Sequence, residues 1–245
     1  MGLALAPAAA LAEKGDSAGG IRSTANFCTA ITTKSTEVES RINDRESKLL
    51  KVRDERTAKL SEHRSDRDAR ILQNRNEAEV KRAEQFARID SRTTTDAQKA
   101  AVAVFKDTMT AAIAARKAAV DAAMKTFRDG VDSTLIGRKA AVDSAVAAYK
   151  TSVNAAIAQA KTDCAAGVVP ATARATYMAS MKAAHDKFKV DRDAIEKLGA
   201  KIEALAKIRN TAVKKAMDDF KTAAEAARAT LKAALGVTPT PTATP

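Results

Sequence analysis

Apolar positions recur at helical intervals over almost the whole chain, and two superimposed periods organise them. From Asp44 a unit of eleven residues repeats as Asp44-Arg45-x-x-Lys48-Leu49, Glu55-Arg56-x-x-Lys59-Leu60, Asp66-Arg67-x-x-Arg70-Ile71 and Glu77-Ala78-x-x-Lys81-Arg82, with a further basic residue at Arg53, Arg64 and Arg75. Eleven residues make three turns at about 3.67 residues per turn, so the unit keeps one face of a helix with little drift. Acids four residues ahead of bases support that helix locally. Further on the unit doubles: Phe105, Phe127 and Tyr149 open copies whose apolar positions coincide at Met109/Val131/Val153, Ile113/Leu135/Ile157 and Val120/Val142/Cys164, and a partial copy starts at Phe220. Matched aromatic and β-branched residues at a helical period form a core rather than a cofactor box.

Breaks in the pattern place the helix ends. No glycine or proline occurs between Ile21 and Asp129, which excludes folds that need frequent turns. Thr93-Thr94-Thr95-Asp96 interrupts the charge repeat, and Thr95 with Gln98 forms a capping box that opens a new helix. Gly167 followed by Pro170 closes it, and Gly236 closes the last apolar pattern. The expected fold is all-α: an elongated antiparallel three-helix bundle or coiled coil with helices over about 24–92, 96–164 and 171–235, and with Gly130, Gly137 and Gly199 as weak points. At the 1.5 Å rise per residue such a bundle would reach roughly 100 Å.

The two cysteines carry the sharpest inference. Cys28 shares a face with Ile31, Ser35, Val38 and Ile42, and Cys164 stands where Val120 and Val142 stand in earlier copies. Facing residues of an antiparallel hairpin have a constant sum, so a Cys28–Cys164 bridge centres the turn on Asp96, where the capping residues independently place a break. A disulfide here implies an oxidising compartment. The apolar stretch Leu3–Ala12, ending Ala10-Leu11-Ala12, fits the end of a secretory leader without its basic start; an Ala-rich tail is the other reading of residues 1–20. Residues 236–245 end in Thr-Pro repeats that favour extended polyproline II geometry, as in a surface stalk. Localisation outside the cytoplasm, secreted or cell-surface associated, follows from the two together.

Composition narrows the chemistry. The chain has 245 residues, a net charge of +12, only 3% aromatic residues and no Trp. Its acids and bases interleave and stacking aromatics are scarce, which disfavours nucleic acid as a partner. The only histidines, His63 and His185, lie on separate helices near core positions and complete no ligand set, so no metal, cofactor or catalytic residue is assigned and the chain reads as a non-enzyme.

One surface invites a partner. Arg45 and Arg53 flank Leu49, Arg56 and Arg64 flank Leu60, and Arg67 and Arg75 flank Ile71, leaving a narrow apolar stripe bordered by guanidinium groups. Such a face suits anionic lipid or an envelope polyanion. The other reading pairs these arginines with Asp107, Asp121, Asp129, Asp132 and Asp143 of the neighbouring helix. In rhythm and composition, residues 44–164 resemble exchangeable apolipoproteins and late-embryogenesis-abundant proteins, without the prolines that punctuate the former; no functional residue carries over from either. The expected role is an exported structural or interaction protein, a rigid helical spacer or binding surface, with an unidentified protein or cell-envelope partner. The alternative is a peripheral amphipathic protein on anionic lipid or polymer, and self-association through the sparse first helix would give a homo-oligomer.

Overall fold

The structure is a computed structural model that describes residues 26–195 and 197–236. The leader expected over residues 1–20 and the Thr-Pro tail from Thr238 lie outside the described residues. All regular structure among the described residues is helical: α1 (Phe27–Asp90), α2 (Asp96–Ala165), α3 (Pro170–Ala194) and α4 (Leu198–Ala234).

The ends are built as local chemistry requires. At the start of α2 the Gln98 N–H donates to Thr95 Oγ1 at 3.2 Å, while Gln98 Oε1 accepts from the Thr94 and Thr95 N–H groups at 3.0 and 3.4 Å. This reciprocal cap satisfies donors that the first turn would otherwise leave orphaned. At the far end Gly167 adopts φ 76°, the Val168 N–H donates to Asp163 O at 3.0 Å, and the Gly167 N–H donates to Cys164 O at 3.2 Å. A left-handed residue flanked by these two bonds is a Schellman closure. Pro170 then starts α3, where its missing N–H costs nothing.

The segment expected as one helix over 171–235 is two. Ile195 leaves the helical region (φ −68°, ψ 121°), and α4 starts again at Leu198. Ile195 packs against the cluster of Val142, Val146 and Phe188, and Leu198 is itself buried. Gly199, a poor helix former, follows directly, so propensity is weakest where these apolar side chains call for an extended link. Gly130 and Gly137 do not interrupt α2.

The chain divides into two compact units, each drawing on three helical segments. The first takes α1 up to Lys59, α2 from Ser133, and α3 with the start of α4. Its core gathers Phe27, Ile31, Val153, Ile157 and Tyr177 around small residues such as Ala156, Ala160 and Ala173. Phe27 meets Tyr177 with ring centroids 5.8 Å apart, and Tyr149 meets Phe188 at 5.1 Å. Cys28 and Cys164 are joined by a disulfide with Cα atoms 5.4 Å apart, packed against this core. Ser35, the one polar residue on the Cys28 face, is buried and donates its hydroxyl to Thr32 O at 2.7 Å, so no polar group is stranded.

The second unit takes Leu60 to Asp132 and α4 from Ala200. Its core is sparser: Phe105, Met109, Ala224 and Ala227 are buried, with Phe86, Ile89, Phe220 and Leu231 partly covered around them. Close approach of α2 and α4 is set at Gly130, where an added Cβ would lie 2.7 Å from Leu205 Cδ2.

Candidate functional site

The arginine-bordered stripe of α1 lies along its seam with α2, and the structure distributes its six arginines unevenly. Arg53 Nη1 donates to Asp143 Oδ1. Arg64 grips both carboxylate oxygens of Asp132 at 2.8 and 3.0 Å, and Arg75 grips those of Asp121 at 2.6 and 3.0 Å. Arg45 lies half-buried near Tyr149, and Arg56 is exposed. Arg67 is half-buried, and its Nε has no hydrogen-bond partner. Of the acids expected as partners, Asp121, Asp132 and Asp143 take that role. Asp129 instead accepts from Lys125 on its own helix at 2.6 Å.

A second series, missed in the sequence, runs beside the first with its polarity reversed. Glu46, Asp68, Glu79 and Asp90 of α1 face Lys150, Arg128, Lys117 and Lys106 of α2. In each of these seven cross-helix pairs the two residue numbers add to 196. The signal is present in the sequence, since Lys106, Lys117, Arg128, Lys139 and Lys150 stand at steps of eleven, beneath the double period of the apolar positions. The one gap is instructive. Thr57 occupies the position opposite Lys139, and Lys139 turns to Asp143 at 2.7 Å, joining Arg53 there.

The two series together select a register. Sliding the helices by four residues one way would set Arg53 against Lys139, Arg64 against Arg128 and Arg75 against Lys117. Sliding them the other way would set Asp68 against Asp132 and Glu79 against Asp121. Like charges therefore oppose each other after a one-turn slip in either direction. A slip of eleven would preserve most pairs, so charge alone does not exclude it; the fixed span of the Cys28–Cys164 bridge and the aromatic contacts do.

Electrostatics follow the pairing. Hydrogen bonds from Arg64 hold the Asp132 carboxyl below its ordinary value, and those from Arg128 do the same for Asp68. Burial pushes Asp143 upward, but the donors Lys139 and Arg53 outweigh it and leave it lowered. Burial, followed by repulsion from Arg128, lowers the Arg67 guanidinium. Arg209 and Arg64 add to that repulsion, while Asp132 pairs with Arg64 and Asp68 with Arg128. Arg209 stacks on Phe127 at 4.5 Å and Arg116 on Phe220 at 4.3 Å, offsetting part of the cost of crowding cations.

The two histidines stand apart, His63 on α1 and His185 on α3. His63 was expected near the seam but is exposed, because the seam phase falls on Leu60, Arg64 and Arg67. His185 is also exposed, 3.9 Å from Asp186. Among the described residues no group of three His, Cys, Asp or Glu side chains could hold a metal ion, and no helix is long and apolar enough to cross a membrane. Comparison with family models, curated proteins and solved structures finds no match.

Proposed function

We propose that the protein is an exported, non-catalytic structural or interaction protein whose paired long helices hold a surface in fixed register. The observation that carries this reading is the pairing of Arg53, Arg64 and Arg75 with acids of α2, which turns the most suggestive cationic stripe inward to the helix seam. Export is supported by the Cys28–Cys164 disulfide, since such bridges persist mainly in oxidising compartments. The partner would be a protein or envelope component.

Two experiments test the reading. Protein captured from its native cells under a thiol-blocking reagent should show both cysteines protected until a reductant is added; free alkylation of Cys28 and Cys164 would overturn export. Sedimentation with anionic vesicles separates the lipid-surface alternative. The structural reading expects no binding at physiological salt, whereas steep salt-dependent binding would favour the peripheral amphipathic reading.

A further inference from the structure

The second unit contains a groove of about 1150 Å³ with mixed apolar and charged walls, bounded by α1, α2 and residues Phe220 and Arg228 of α4. That volume exceeds the roughly 300–1,000 Å³ usual for a small-molecule site and leaves room for an elongated guest. Its apolar wall includes Ile71, Phe86, Ile113, Val120 and Met124, all only half-buried by the folded chain. A space of this size lined by incompletely covered apolar side chains favours an apolar guest.

Charge along the groove is asymmetric. Arg64, Arg75, Lys125 and Arg128 each have an aspartate of their own, namely Asp132, Asp121, Asp129 and Asp68. The remaining lining cations are Arg82, Lys117, Arg116 and Arg228. Arg82 and Lys117 share the single carboxylate of Glu79, at 3.3 and 3.8 Å. Arg116 rests on the Phe220 ring, and neither it nor Arg228 has a carboxylate partner among the described residues. Four cations thus face one acid beside an apolar wall.

We propose that this groove binds the anion of a long-chain fatty acid, with the acyl chain along its apolar wall and the carboxylate held by the lining cations that have no carboxylate of their own, Arg116 or Arg228. Charge complementarity selects an anionic head over a neutral one, and a groove bounded by three helical segments suits a single chain better than a bilayer surface. This site is independent of the structural role proposed above.

Calorimetric titration of the intact, disulfide-bonded protein with laurate, myristate and palmitate, each below its micelle concentration, tests the proposal. Saturable binding should tighten about fourfold per added methylene. Arg116→Gln combined with Arg228→Gln should weaken palmitate about tenfold while leaving hexadecanol unchanged. Ile113→Trp, filling the wall, should abolish both, with helical circular dichroism confirming the fold; the arginine variant decides the matter should this one misfold. Absence of saturable binding, affinity independent of chain length, or equal palmitate affinity in the arginine variant would overturn the proposal. So would binding to vesicles or an acidic amphipathic peptide but not to the monomeric acid.

Discussion

The two units use the same helices α1 and α2 but are held together differently. The first buries Phe27, Ile31 and Val153 to 2% exposure or less, stacks two aromatic pairs and closes with a disulfide. In the second, Phe105 and Met109 are buried but their neighbours Phe86, Ile89, Phe220 and Leu231 are only partly covered, and Arg64, Asp68, Arg75, Glu79 and Asp90 of α1 pair with opposite charges of α2 along the seam.

 Phe105 and Met109 there each keep 9% exposure. Where apolar surface is plentiful, packing sets both stability and register. Where α1 offers few apolar residues, charge order takes over the second task, because exposed ion pairs add little stability yet strongly penalise wrong pairings.

The largest expected effect separates the units most sharply. Removing the disulfide with Cys28→Ser and Cys164→Ser should lower unfolding free energy by about 2–5 kcal/mol, as read from denaturant melts. Hydrogen exchange should place the loss in the first unit; an equal loss of protection in the second would erase the contrast. Next, Phe27→Ala should cost about 3–5 kcal/mol, as expected for a large side chain removed from a closed core. Met109→Ala should cost less, because its site is more open, and equal costs would show that the second core is as tight as the first.

Charge effects come third. Arg64→Asp should destabilise by about 1 kcal/mol, and adding Asp132→Arg should restore most of the loss if the cross-helix pair is what matters. The pH dependence also divides the units. Asp68 and Asp132 have lowered values in the folded state, so their contribution is complete above the unfolded carboxylate value of about 4 and is lost as pH falls through the folded values. Burial raises Tyr149 and Tyr177, both in the first unit, so their contribution is complete below the unfolded phenol value of about 10 and is lost as pH rises through the folded values. Exchange measured across pH should therefore show acid loosening the second unit's seam and alkali loosening the first unit's core.

The smallest effect compares two glycines of one helix. Gly137→Ala meets open space and should stabilise by about 0.5–1 kcal/mol in a thermal melt. Gly130→Ala must displace Leu205 and should gain nothing.

Much of this was legible in sequence because it rests on local chemistry. Thr95 with Gln98, and Gly167 before Pro170, mark the helix ends through backbone groups they must satisfy, and the cysteine positions fix a hairpin by simple counting. Half of the ladder was equally visible, in Arg53, Arg64 and Arg75 and the acids proposed for them. The break at Ile195 was not, since it depends on packing against Phe188 and Val146 rather than on a proline or a left-handed glycine. The groove was hidden for a similar reason: Ile113 and Val120 repeat like core residues, and only the third helical segment's placement leaves them incompletely covered.

Cross-linking across the α1–α2 seam addresses register directly. With the native disulfide intact, Thr57→Cys with Lys139→Cys should be joined within one chain by a short bis-maleimide. A pair displaced by one turn, Ser61→Cys with Lys139→Cys, should react far more slowly. Equal or faster joining of a displaced pair, or products formed only between chains, would contradict the charge-selected register.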